Sequence, residues 1–360
     1  MFKKIAEGDI YCADKDGLVA VGSRVASLEN GTLIATYNVE TAIGVNDFAP
    51  MASYSTDGGI TWSKGKYLWP QYLGNTSVYG SVRNTLDGRI CFGGTCTPIT
   101  EKGQSYWSDE LGAMLENHVI FALSDDGITF TDIDQIPLAY YGSAENPGGA
   151  FVDSDGSINI VYSPYRAIEM KEDPPVNQMV LLRSVDGGKT YSSSVFAQDQ
   201  PPCQYGESWL IKADKNLYMV GTWQTATKEG SNRFFLSKDN LGSFYGPFIL
   251  PFNGQSSALE AYKDGLVFIV YNYRSVNPAG VYLALAKINE NGFEILANEP
   301  VWETEKKTYN NSGGEFNEWT DFAFGEPSVK LLDDGNLLVT LWYDHGDKKG
   351  IRYVLLKIEE

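Results

Sequence analysis

The chain has 360 residues, 43% hydrophobic and 13% aromatic, enough to bury a large core. Its net charge of −18 removes nucleic acid and anionic membrane surfaces from the expected partners, since both need a basic face. No run of about 18 apolar residues occurs, and no dinucleotide fingerprint, P-loop, H-E-x-x-H or G-x-S-x-G is present, so neither a spanning helix nor a cofactor is expected.

The opening segment, Met1-Phe2-Lys3-Lys4-Ile5, has two lysines with no apolar stretch after them. It does not read as a secretory leader, so the chain as written is expected in the cytoplasm, or outside the cell if a leader has been removed. Cys12, Cys91, Cys96 and Cys203 show neither metal-type spacing nor a disulfide framework.

Short apolar bursts then alternate with tight turns. The first turn, Asn30-Gly31, feeds the strand-favouring run Thr32-Leu33-Ile34-Ala35-Thr36-Tyr37. Equivalent turns follow at Asp87-Gly88, Asp155-Gly156, Lys215-Asn216, Asp264-Gly265 and Asp334-Gly335, the last feeding Leu337-Leu338-Val339-Thr340-Leu341-Trp342. The spacing averages about 61 residues, so six units fill the chain. Each unit has room for four strands. The predicted fold is all-β, a six-bladed β-propeller with four-stranded antiparallel blades, forming a single domain over residues 1–360.

A second motif lies inside the units. It reads Ser55-Thr56-Asp57-Gly58-Gly59-Ile60-Thr61-Trp62, then Ser124-Asp125-Asp126-Gly127-Ile128-Thr129-Phe130, then Ser184-Val185-Asp186-Gly187-Gly188-Lys189-Thr190-Tyr191. A worn copy is Ser237-Lys238-Asp239-Asn240-Leu241-Gly242-Ser243-Phe244, and blade five keeps only Asn289-Glu290-Asn291-Gly292-Phe293. The Asp is expected to cap turn amides, the Gly residues to turn left-handed, and the aromatic to pack between sheets. These motifs are therefore structural.

Strand parity puts both kinds of turn on one face. The opposite face holds the longer loops, where sites tend to lie. Residues that lead the inner strands ring the channel there: Arg24, Ser81 with Arg83, Glu145-Asn146-Pro147, Glu207, Gln255-Ser256 and Glu326. Loops add Asp47, Tyr106, Trp107, Arg166, Trp223, Arg274, Trp319, Asp344 and His345, while His118 reads as structural. Carboxylates among aromatics point to a sugar site, because aromatic faces stack on sugar C–H surfaces and carboxylates handle hydroxyls and protons.

The repeated S-x-D-G-G-x-T-W pattern resembles the Asp-box of sialidases and other BNR-repeat proteins. That resemblance implies a sialidase-like propeller, and it carries three positions across. Arg24 matches the first arginine of the sialidase triad, Asp47 the acid/base aspartate, and Glu207 the activating glutamate. Three positions depart. No arginine stands near Gly221-Thr222-Trp223 or Pro278-Ala279-Gly280, and Glu326-Pro327-Ser328 occupies the place of the nucleophilic tyrosine. A sialic acid carboxylate needs forked guanidinium donors, so the departures point away from a simple sialoside.

The expected function is thus a glycoside hydrolase or related glycan-processing enzyme. Asp47, Glu207 and Glu326 are the catalytic candidates. Arg24, Arg83, Glu145, Arg166, Gln255, Arg274, Trp107 and Trp223 are the substrate-binding candidates, and a carbohydrate is the expected partner. The alternatives are a non-catalytic glycan- or protein-binding propeller and a true exo-sialidase using arginines from loops.

Overall fold

The computed structural model describes residues 1–108, 110–174, 178–198, 205–224, 231–274, 276–304 and 322–359. Cys203 and Trp319 lie outside them. Six antiparallel sheets of four-stranded meander type follow one another around a ring. The inner strands run Val19–Ser27, Thr76–Asn84, Ser143–Glu145 continued by Ala150–Val152, Tyr205–Asp214, Gln255–Ala261 and Phe324–Leu331. They pack side by side around the axis.

The last blade is completed from the other end of the chain. Phe2–Cys12 pairs antiparallel with Lys349–Ile358 and forms the outermost strand of blade six. The ring therefore closes through residues more than 300 positions apart. Closure covers the two blade faces that an open row of sheets would expose, while each blade keeps its own outer edge strand.

The core lies between blades, not within them. One cluster joins blades one and two through Ala26, Ile34, Val82, Phe92 and Ile120. The others repeat the arrangement around the ring. Tyr37, Phe92, Tyr162 and Tyr271 are fully buried on second strands of their blades. Each such aromatic contributes roughly 2–3 kcal/mol by leaving water.

The S-x-D-G-G turns close in the expected way. Asp57 accepts from the amides of Ile60 and Thr61 at 3.2 and 2.9 Å and from the Thr61 hydroxyl at 2.6 Å. Asp186 holds Thr190 likewise, at 3.0 and 2.7 Å. Gly58, Gly59, Gly187 and Gly188 all have φ between 73° and 89°. In the worn copy Asn240 and Leu241 take that conformation at φ 57° and 65°, and Asp239 still clasps Ser243.

These hydrogen bonds favour the ionised carboxylate and lower Asp57, Asp186 and Asp239 to about 2, the Thr or Ser hydroxyl being the largest cause. A lowered native pKa gives stability that is present above the unfolded value and lost as pH falls through the folded one. Asp186→Asn should lower the melting temperature by about 1–2 °C at pH 7. Calorimetry should show that difference shrinking toward zero as pH approaches about 2.

Candidate functional site

The face opposite the tight turns opens into a cavity of 210 Å³ at the channel mouth. Its chemistry is set by a repeated irregularity of the inner strands. Register shifts fall between Val21 and Arg24, Gly206 and Trp209, Gln255 and Ser257, and Gly325 and Ser328. Each is a bulge, which re-aims a side chain out of the ladder. The bulged residues are Gly22, Glu207, Ser256 and Glu326, with φ of 63°, 51°, 54° and 42°. A non-glycine residue there costs on the order of 1–3 kcal/mol, and such strain concentrates at functional sites. Blades four, five and six carry it consecutively.

The bulges bring Glu207, Ser256 and Glu326 to the cavity, where they meet Glu145 from blade three. The Glu207 backbone N–H donates to Glu145 Oε2 at 3.0 Å. The Ser256 hydroxyl donates to Glu207 Oε1 at 2.6 Å. The Tyr79 hydroxyl donates to Glu326 Oε1. Tyr165 lines the same cavity with its hydroxyl beside Glu145.

A fourth carboxyl, Glu40, closes the second strand of blade one and is 2% exposed. Burial raises Glu40 well above the carboxylate range. Burial, then the charge of Glu207, raises Glu145. Burial also raises Glu207, with Ser256 opposing and Glu326 adding to the shift. Carboxyls held this close cannot all ionise near neutrality, so Glu145 and Glu207 titrate as a pair.

One guanidinium lines the cavity among the described residues. Arg274 donates to the Phe324 carbonyl through Nε at 3.1 Å and Nη2 at 2.6 Å, and to Gln255 Oε1 through Nη1 at 2.9 Å. It lies 3.7 Å over the Phe322 ring. Burial lowers its pKa, and Glu207 and Glu326 oppose that by holding it charged.

The wall on the side of blades one to three is built of paired backbone. The blade-two loop folds a small hairpin, Trp107–Ser108 with Ala113–Met114. It is sewn to blade one by Asn46 N–H to Gln104 O at 2.7 Å and Tyr106 N–H to Gly44 O at 3.0 Å. Met114 N–H to Arg166 O at 3.1 Å and Ile168 N–H to Met114 O at 2.9 Å join it to blade three. Tyr106, Trp107, Met114 and Leu115 are thereby fixed on the cavity.

Tyr106, Asn146, Pro147 and Ser256, expected around the channel, line this cavity, and so do seven of the eleven catalytic and substrate-binding candidates: Glu145, Glu207, Glu326, Gln255, Arg274, Trp107 and Trp223. Four do not. Asp47 turns back on its own loop and accepts from the Thr41 amide and hydroxyl at 3.1 and 2.7 Å. Arg166 faces the Met170 carbonyl at 3.0 Å and Asp173 at 3.7 Å.

Arg24 and Arg83 lie one layer further down the channel. Their guanidinium groups sit 4.9 and 4.8 Å from the Trp209 ring and donate to the carbonyls of Ser23 and Glu326, and of Gly148 and Leu210. The bulge explains the displacement. It inserts one extra residue before Arg24, so that Gly22 and Ser23 together face Tyr37, and the blade-one residue level with Glu207 and Glu326 is Gly22. The space left there is filled by Tyr79, whose hydroxyl would lie 2.6 Å from a Cβ on Gly22.

His345 also sits away from the cavity, stacked on Trp302 at 6.0 Å and bonded to Thr304 at 3.2 Å. His118 pairs with Cys96 inside blade two. The sequence reading missed Glu40, Tyr79 and Tyr165. Glu40 carried one usable signal, an acid ending an otherwise buried strand.

No protein-family model matches the sequence, and no curated protein is similar to it in sequence. Solved structures are similar in fold. A protein of unknown function from Dyadobacter fermentans superposes with a TM-score of 0.75 at 16% identity, covering 99% of each chain. The α-L-arabinanase of Penicillium chrysogenum, complexed with arabinobiose, gives 0.62 at 16% identity, over 99% of this chain and 98% of that one. A Hadza microbial sialidase gives 0.65 at 14% identity, over 98% of this chain and 68% of that one. What they share with this chain is architecture, and that architecture is the sialidase-like six-bladed β-propeller.

Proposed function

We propose that the chain is a glycoside hydrolase acting on an uncharged sugar. The observation that carries this reading is the convergence of Glu145, Glu207 and Glu326 in one cavity whose single described guanidinium is already bonded to a carbonyl and to Gln255. Glycosidic cleavage needs one carboxyl that gives a proton and one that stays ionised. Glu145 and Glu207 share a proton and serve as the acid. Glu326, fixed by Tyr79, serves as the nucleophile or water-activating carboxylate. Arg274 and Gln255 position the ring, and Trp107 and Trp223 give it apolar walls. Asp47 has no part, because its carboxylate is spent on Thr41.

A sialic acid carboxylate calls for a set of forked guanidinium donors, and the described residues bring only Arg274 to the cavity, already bonded to Phe324 and Gln255. The arabinanase of nearly equal length binds arabinobiose, an uncharged pentose disaccharide, which favours the same class here. The test is a panel of fluorogenic arabinosides, xylosides and galactosides beside a sialoside, between about pH 4 and 8, the span of carboxyl acid/base pairs. Release from a neutral glycoside and none from the sialoside is expected. Release from the sialoside alone would overturn the reading. Sugar binding with no product after long incubation would make the chain a glycan-binding propeller instead.

A further inference from the structure

We infer that Glu40 and Asn146 form a subsite that recognises hydroxyl groups of an uncharged sugar ring, and so set which sugar the cavity accepts. This rests on the reading of the cavity as a sugar site. It concerns two residues that the cleavage chemistry does not use.

Both residues line the cavity and both are buried, Glu40 at 2% and Asn146 at 3% exposure. Glu40 Oε2 accepts the Gly44 amide at 2.9 Å, while Oε1 has no hydrogen-bond partner within the protein. Asn146 is left with more: neither Nδ2 nor Oδ1 has a partner. Burying polar atoms unpaired is costly, and native chains rarely do so without a use.

The backbone does not need Asn146, and it uses Glu40 only through its bond to the Gly44 amide. The blade-one loop is capped by Asp47. The entry to blade three is clasped by Asn117, which binds both the amide and the carbonyl of Ala144 at 2.8 and 3.0 Å. Buried Asn38 by contrast spends its Oδ1 on the Gly80 amide at 3.1 Å, and buried Asn272, unpartnered like Asn146, does not line the cavity.

The unpaired set defines the ligand. Asn146 offers a donor and an acceptor, Glu40 a carboxyl that when protonated donates as well as accepts, and the Trp342 indole N–H on the same cavity a further unpaired donor. A sugar hydroxyl both donates and accepts, so adjacent hydroxyls satisfy such a set. An apolar ligand would leave it unpaired. An anion would find no cation in the set. The substrate class is therefore a neutral ring with free hydroxyls, and removing one hydroxyl should cost more than altering the ring's apolar face.

The test uses the full chain and calorimetric titration with free L-arabinose, D-xylose, D-galactose and L-fucose, each beside its mono-deoxy forms. The wild type is expected to bind at least one parent sugar and to bind one of its deoxy forms at least tenfold more weakly. Asn146→Ala and Glu40→Ala should each weaken the parent at least tenfold. In Asn146→Ala the gap between parent and deoxy sugar should collapse. Glu40→Gln, which keeps both a donor and an acceptor, should lose less than threefold, and an unchanged melting temperature in that variant guards against misfolding. Parent binding within twofold of wild type in both alanine variants would overturn the subsite and leave the sugar-site reading standing. Absence of any neutral-sugar binding by the wild type would overturn both.

Discussion

Glu145→Gln is expected to cut turnover about 10³-fold on whichever neutral glycoside is cleaved, and at the same pH to make the protein more stable. The amide keeps an acceptor for the Glu207 N–H, so the geometry survives. What is lost is the proton. The gain in stability comes from the same cause. Glu145 is raised by burial and by Glu207, so the folded chain binds its proton more tightly than the unfolded chain does. A raised native carboxyl pKa gives stability that is full below the unfolded value and lost as pH rises through the folded one. Wild type should therefore lose stability between about pH 5 and 8 from this pair, and the variant should not. Calorimetry should find the variant about 2 °C more stable at pH 8 and equal to wild type near pH 4.5. Loss of activity with an equal or lower melting temperature at pH 8 would show that Glu145 is not held against its charge.

Gly22→Ala should produce the largest loss of stability. Gly22 has φ 63°, a region that costs an L-residue about 1–2 kcal/mol. Its added Cβ would also stand 2.6 Å from the Tyr79 hydroxyl and 2.9 Å from Asn38 Nδ2. The side chain that has to move is the one holding Glu326. The total should reach about 2–4 kcal/mol, and turnover should fall with it. Tyr79→Phe removes the clashing oxygen, so the double variant should be less destabilised than the two single changes added together. Strict additivity in thermal denaturation would mean that Gly22 and Tyr79 are not in contact.

The fold was legible because its signals are local. Asn30-Gly31 and four of its five counterparts specify turns through the positive φ that glycine permits, and the S-x-D-G-G segments specify theirs through a carboxylate two residues from a serine. Counting them yields the meanders, and parity yields the faces. The closing strand Phe2–Cys12 was not legible. It carries three exposed residues in its first four and pairs with a segment at the far end of the chain.

The site was legible to the level of the bulges. Glu145, Glu207 and Glu326 could be placed because they lead inner strands. Arg24 lies one layer below its expected place because the single extra residue of a bulge leaves no mark in the apolar pattern of Val19–Ser27, which is buried almost throughout. Tyr79 was hidden for a related reason. An aromatic in a blade reads as core, and only the missing side chain at Gly22 turns its hydroxyl toward a carboxylate.

The pairing of Phe2–Cys12 with Lys349–Ile358 also makes the two chain ends neighbours, with the Glu359 amide bonded to the Met1 carbonyl at 2.8 Å. The ring behaves as a belt with its buckle in blade six. A short linker across the buckle, with a new opening cut at an exposed turn such as Asp334-Gly335, would give a circular permutant that keeps every interblade layer and leaves the cavity on the opposite face untouched.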